Sequence, residues 1–297
     1  MQRFLIRVAL LGLVAVAAGL WITRPKADGA EVLAGLTADA GRGEMVFTAA
    51  GCASCHMAPE AEGEARLVLA GGQSFPSPFG SFTAPNISPD PAEGIGDWSA
   101  LELWNALHHG TSPDGQHYYP AFPYASYIRM EPQAVVDLHA YLQTLPADAT
   151  PSAPHAVPFP FNIRASLGGW KMLFLRPGWV MAGDLTAEEA RGRVLAEAMG
   201  HCAECHSPRN ALGGTKTGAD WLTGAPNPAG RGSFPNLTPP ALDWSQDELV
   251  EYFTSGFTPE YDVVGGHMAH VVENLAQLPE SDRAAIAAYL KRLPLDG

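Results

Sequence analysis

Gly51-Cys52-Ala53-Ser54-Cys55-His56 and, further along, Gly200-His201-Cys202-Ala203-Glu204-Cys205-His206 decide how this sequence is read. Each holds one C-x-x-C-H, and together they use all four cysteines of the 297 residues. Two thiols three positions apart in a helical turn share one face. They can reach the two vinyl groups of one porphyrin as thioethers. The adjacent His then presents its imidazole to the iron from the same side, the attachment pattern of a c-type haem. One copy alone could be half of a zinc site or a redox dithiol. Two copies, with no further Cys to complete a zinc tetrad, favour two covalently bound haem c groups. Their holders are Cys52, Cys55, Cys202 and Cys205, with His56 and His206 on the irons.

Both motifs sit inside a longer repeat. Arg42-Gly43 and Arg191-Gly192 precede the turn glycines Gly51 and Gly200 by the same interval. Pro85-Asn86-Ile87-Ser88-Pro89 returns as Pro235-Asn236-Leu237-Thr238-Pro239, and Asp97-Trp98-Ser99 as Asp243-Trp244-Ser245. Gly110 and Pro113 match Gly256 and Pro259; Ala140-Tyr141-Leu142 with Leu145-Pro146 matches Ala288-Tyr289-Leu290 with Leu293-Pro294. The offset stays near 148 residues, which means a duplicated domain and not a solenoid.

Within each copy the pattern is helical. A first helix runs into the C-x-x-C-H turn, opened in the second copy by the capping-box pair Thr186 and Glu189. Asp-Trp-Ser starts a middle helix carrying Leu101, Leu103, Trp104 and Leu107 in the first copy. Val135, Leu138 and Leu142, and later Ile286, Tyr289 and Leu290, mark a last helix by their spacing. The expected domains are therefore 37–146 and 186–297. Between them, 147–185 holds a Pro-rich extended stretch, Ala147 to Phe161, and a short bridging helix within Asn162 to Leu175.

The N-terminus is different in kind. Arg3 and Arg7 bracket the start of an uncharged apolar run from Val8 to Ile22. If Arg7 snorkels, Phe4 to Ile22 is long enough for a bilayer core of about 30 Å. Residues 1–23 thus read as a signal anchor, and 24–36 as a tether. Cleavage after Ala15-Val16-Ala17 is the alternative, but it leaves only Val8 to Val14 as the apolar core of a signal. Arg24 and Lys26 balance the far side, so charge does not settle orientation. In either case the remainder is expected to be exported. A net charge of −13 argues against nucleic acid as a partner, and 46% hydrophobic residues exclude a disordered chain.

The group opposite each His sets what a haem can do. A Met thioether gives a closed electron carrier; an open face admits oxygen or peroxide chemistry. After the second motif the one remaining Met is Met268, in a loop before the last helix. In the first copy Met57 adjoins His56 and cannot cross the ring, and Met45 reads as helix packing. That leaves Met130 at the start of the last helix. His108, His109 or His117 could stand in for Met130, and His267 or His270 for Met268. His139, His155 and His201 read as surface or packing residues. Asn86 and Asn236 each begin an N-x-S/T sequon, yet their place in the repeat makes them haem-crevice residues. With the indoles of Trp98 and Trp244 they are candidate donors to the propionates. The plain alternative is that Asn closes a turn and Trp fills core.

From about residue 37 to 297 the chain resembles the membrane-anchored dihaem cytochromes c of proteobacteria. It is most similar to the cytochrome c subunits of periplasmic alcohol, aldehyde and related dehydrogenases. The residues that carry this are both C-x-x-C-H motifs, Pro85 to Pro91, and Gly94-Ile95-Gly96-Asp97-Trp98-Ser99. Tyr119-Pro120-Ala121-Phe122-Pro123-Tyr124 and the Gly266-to-Asn274 segment add to it. The resemblance implies an all-α fold of two tandem class I cytochrome c domains behind an N-terminal transmembrane anchor. The haem domains would lie on the periplasmic side of the inner membrane. The implied function is not catalysis. It is the relay of single electrons between a dehydrogenase or quinol-oxidising complex and a downstream cytochrome or terminal oxidase. Many relatives place a ligand Met where this sequence has Phe122; here Met130 lies eight residues later. The alcohol-dehydrogenase subunits carry three haem motifs and this chain two. The rival readings are a dihaem peroxidase or thiosulfate dehydrogenase-like enzyme, with one haem lacking Met, and a gas-sensing module.

Overall fold

The computed structural model describes residues 1–230 and 232–293. Pro294 of the second repeat and the 294–297 end of the second domain therefore lie outside the described residues. The apolar N-terminal run forms α1 (Gln2–Ile22), whose side chains are all exposed. At 1.5 Å per residue it is roughly 30 Å long, enough to cross a membrane. The tether behind it is docked, because Asp28 accepts from Trp104 Nε1 at 2.8 Å and its amide donates to Asn105 at 2.7 Å.

The first repeat builds α2 (Ala40–Ala49), α3 (Cys52–His56), α4 (Ala100–His109), a short α5 (Tyr124–Tyr127) and α6 (Pro132–Leu142). After the linker comes α7 (Ser166–Phe174). The second repeat gives α8 (Ala187–Arg193), α9 (Ala203–His206), α10 (Gln246–Ser255), α11 (His267–Leu275) and α12 (Glu280–Arg292). Each repeat also holds one small antiparallel hairpin. β1 (Ser74–Ser77) pairs with β2 (Gly80–Thr83), and β3 (Ala225–Pro226) with β4 (Ser233–Phe234).

The repeated letters have mechanical reasons. Ser99 with Glu102, Thr186 with Glu189, and Ser245 with Glu248 form reciprocal capping boxes at the starts of α4, α8 and α10. Gly110 and Gly256 end α4 and α10 at φ 58° and 77°, where a β-carbon would be strained. The first and last helices of each repeat cross in contact. A β-carbon on Gly43 would lie 2.0 Å from the Asp137 carbonyl oxygen, and one on Gly192 1.8 Å from that of Ala285. Beside each crossing a guanidinium grips a carboxylate with two bonds. Arg42 meets Asp137 at 2.7 and 2.9 Å, and Arg191 meets Asp282 at 2.8 and 2.7 Å. That is why Arg-Gly appears twice.

The copies differ just before the second motif. Gly51 adjoins Cys52 directly and takes φ 63°, whereas His201 stands between Gly200 and Cys202. The extra residue is absorbed by a π-helical turn at Val194–Met199, with Gly200 N–H donating to Leu195 at 2.6 Å, and by His201 at φ 41°. Met268, expected in a loop, is the second residue of α11.

Candidate haem sites

Each C-x-x-C-H turn is pinned the same way. His56 Nδ1 lies 2.8 Å from the Pro85 carbonyl oxygen and His206 Nδ1 2.9 Å from that of Pro235. A carbonyl only accepts, so Nδ1 is the protonated nitrogen in both rings. Nε2 keeps its lone pair, the arrangement a metal-ligating His needs. Burial holds both imidazoles below the ordinary histidine range, so they are neutral bases. The backbone agrees: Gly71 N–H donates to the His56 carbonyl, and Gly224 N–H to that of His206, both at 2.7 Å.

None of the four Cys is in a disulfide. Burial pushes Cys52 and Cys202 up to about 12 and Cys55 and Cys205 up to about 11. Burial therefore favours the neutral thiol over the thiolate at each position. Paired thiols on one turn, beside a neutral imidazole with Nε2 unprotonated, suit haem c in both repeats.

Met130 is 3% exposed, on the turn between α5 and α6. His108 Nε2 holds its carbonyl at 2.9 Å while stacking on Trp104 with ring centres 3.3 Å apart. His109 Nε2 is bound to Asp28 at 2.9 Å, and His117 Nε2 to the Thr23 carbonyl at 3.0 Å. The three histidines that could replace Met130 thus have their Nε2 atoms committed elsewhere. Met268 is half-buried at the start of α11. Its neighbours differ, since His270 contacts Glu273 at 3.1 Å and His267 is exposed beside Phe75. His139 donates to the Trp98 carbonyl at 2.7 Å, and His155 accepts from Thr83.

The propionate candidates separate. Asn86 is buried, and its amide nitrogen donates to the carbonyls of Asp148 at 2.7 Å and Thr150 at 2.9 Å. Both N–H groups are then engaged, so Asn86 clamps the linker onto the first domain and has no donor left for a propionate. Asn236 uses only its oxygen, on Thr238. The N–H donors of Asn236, Trp98 and Trp244 have no protein partner among the described residues.

The regions around the two motifs are in contact. Asn274 on α11 donates to Ser54, inside the first Cys motif, at 2.8 Å, and Arg66 pairs with Glu273 at 2.6 Å. Tyr127 lies 5.6 Å from the His201 ring. The Cys205 thiol is raised by burial first and then by Glu204. Behind this seam Glu197 is fully buried. It accepts from Val180 N at 2.7 Å, Met181 N at 2.9 Å and Tyr289 OH at 2.9 Å, and lies 3.9 Å from Arg129 of the first domain. Sequence reasoning missed this cluster. It also missed the part of Pro85 and Pro235 in holding the histidines, although each stands 29 residues after its His, a spacing visible in the sequence.

Comparison with known proteins follows the same division. The cytochrome c family matches residues 40–146 and again 189–294. A diheme cytochrome c-type protein of Cereibacter sphaeroides is 57% identical over 294 residues, covering 99% of both chains. The fructose dehydrogenase cytochrome subunit of Gluconobacter japonicus is 37% identical over 261 residues, 85% of this chain and 52% of that one. The quinone-dependent alcohol dehydrogenase cytochrome c subunit of Gluconacetobacter polyoxogenes is 32% identical over 265 residues, 85% of this chain and 55% of that one. The chain spans about half the length of these two subunits.

Proposed function

The chain belongs to the cytochrome c family, with two cytochrome c domains and two covalent haem c groups, and from that we propose a membrane-attached relay of single electrons. Its donor is a dehydrogenase or quinol-oxidising complex, and its acceptor a downstream cytochrome or terminal oxidase. Haem c supplies a one-electron iron couple whose potential follows from its axial ligands and its burial. The chain's own residues do the rest. Cys52, Cys55, Cys202 and Cys205 would hold the two groups, and His56 and His206, steadied by Pro85 and Pro235, would ligate the irons. Met130 and Met268 would supply the second ligands, and Trp98, Asn236 and Trp244 would donate to propionates.

The observation that carries this reading is the seam between the motifs. Asn274 is bonded to Ser54 inside the first Cys motif, and Tyr127 lies beside His201 next to the second, so an electron would have a short protein-lined route between domains. The commitment of His108, His109 and His117 to other partners supports Met130 over a histidine as the second ligand of the first haem. The chain is therefore read as a carrier and not an enzyme, with α1 in the inner membrane and both domains in the periplasm. The relatives' names, cytochrome subunits of fructose and alcohol dehydrogenases, support a dehydrogenase partner.

The test is a redox titration of full-length holo-protein in a bilayer, followed by mixing with an oxidised soluble cytochrome c. Two one-electron waves and full re-oxidation by the soluble cytochrome are expected. Turnover of peroxide or thiosulfate at one haem would contradict the reading.

A further inference from the structure

Where α1 ends, the structure makes a cavity of about 290 Å³ against the first domain and the interdomain segment. Leu20, Thr23 and Arg24 form one wall, and His117, Arg164 and Gly115 part of the other. None of its lining residues carries a carboxylate, in a chain with 31 acidic and 18 basic side chains. Two guanidiniums line it instead. Arg24 spends one nitrogen on the Trp21 carbonyl at 2.9 Å and Arg164 one on the His117 carbonyl at 3.0 Å, out of five N–H donors each. Both rest on rings, Arg24 over Trp21 at 4.6 Å and Arg164 over Tyr119 at 4.8 Å, which restrains both guanidiniums. His117 is wall and not ligand, since Thr23 and Lys171 take its two nitrogens.

The surroundings say what fills such a site. α7 packs directly on the end of α1: a β-carbon on Gly168 would lie 2.0 Å from the Thr23 carbonyl oxygen. The segment around it exposes Phe159 (77%), Phe161, Ile163, Met172 and Leu173 (56%), large apolar side chains next to the apolar helix. Trp21 is 67% exposed in the last turn of α1, at the level where aromatic rings meet lipid headgroups. Apolar side chains beside paired arginines at a helix exit match the two parts of a phospholipid.

We propose that this cavity binds the phosphate headgroup of an anionic phospholipid in the leaflet from which α1 emerges, with the Phe159–Phe174 segment seated in that leaflet. The interdomain segment then serves as a second membrane contact, which fixes the height of both domains above the bilayer. This rests on α1 spanning the membrane, part of the function proposed above.

The experiment uses full-length holo-protein in nanodiscs of phosphatidylcholine and phosphatidylglycerol, released into a native mass spectrometer. Retention of one phosphatidylglycerol, favoured roughly tenfold over phosphatidylcholine, is expected. Arg24→Gln with Arg164→Gln should abolish that preference, while Arg24→Lys with Arg164→Lys should keep part of it; unchanged haem spectra report the fold in each case. Millimolar inorganic phosphate should leave the lipid bound. Equal retention of the two lipids, an unaltered preference in the glutamine variant, or displacement by inorganic phosphate would overturn the proposal. The intact mass in the same spectrum reports whether α1 is present, so loss of the anchor reading is seen separately.

Discussion

Breaking the charge contact that crosses the domain seam gives the sharpest energetic test. Arg129 and Glu197 have side chains 6% and 0% exposed and approach to 3.9 Å. At an effective dielectric of about 20 that separation corresponds to about 4 kcal/mol of attraction. Glu197 also accepts two backbone N–H groups and the Tyr289 hydroxyl, which in turn accepts from Trp221 at 2.9 Å. Glu197→Gln would leave the Arg129 charge buried without its counter-charge, and the new amide would oppose the Tyr289 donor. The expected cost is about 3–5 kcal/mol. Arg129→Leu should cost a similar amount, because a buried carboxylate then stands alone. Removing both charges leaves no isolated ion, so the double variant should be more stable than the sum predicts by about 2–4 kcal/mol. Urea unfolding of the detergent-solubilised holo-protein, followed by far-ultraviolet circular dichroism, measures all three. The covalent haems stay attached in the unfolded chain, so cofactor loss does not distort the comparison. A coupling below about 0.5 kcal/mol would refute the claim that this pair ties the domains together.

Three further outcomes follow from named contacts. Gly192→Ala forces a β-carbon to within 1.8 Å of the Ala285 carbonyl oxygen, so α8 and α12 must separate. A loss of about 1–3 kcal/mol or more is expected, and an unchanged melting temperature would show that the crossing yields freely. Lys171 is buried, with Nζ 2.7 Å from the Gly110 carbonyl and 2.9 Å from His117, and burial lowers its pKa to about 7. Between that value and about 10.4 the unfolded chain holds a proton there that the folded chain lacks. Stability from this group therefore rises with pH across that window and is lost as pH falls through it. Lys171→Met should flatten the rise, and a pH profile identical to the parent would count against it. Asn86→Ala should cost about 1–3 kcal/mol by freeing the Asp148 and Thr150 carbonyls, while both haem midpoint potentials stay put. A shifted potential would restore Asn86 to the propionates.

The features legible in sequence were those written in side-chain letters at fixed spacing. C-x-x-C-H, the duplicated Arg-Gly and the Asp-Trp-Ser starts each mark a bond or contact that one residue type makes, and the folded chain uses them twice. Features made by backbone atoms or by a small insertion were harder to see. Pro85 and Pro235 act through carbonyl oxygens, which every residue possesses, so only their common spacing from His56 and His206 betrays them. Asn86 was misplaced for the same reason, because its partners are backbone oxygens of a linker more than 60 residues away. The π-helical turn answers one inserted residue, His201, which the matched intervals of Arg-Gly and Gly had hidden. Glu197 looks like any helical glutamate until α12 brings Tyr289 against it.

The central claim is that both irons are closed by His and Met and serve only to carry electrons. Near-infrared absorption of the oxidised holo-protein tests it most directly, through the charge-transfer band that marks Met bound to ferric haem. Two equivalents of that band are predicted per chain, with Met130→Ala and Met268→Ala each removing half. A band unchanged in Met130→Ala, or a high-spin haem that binds carbon monoxide rapidly once reduced, would contradict the account.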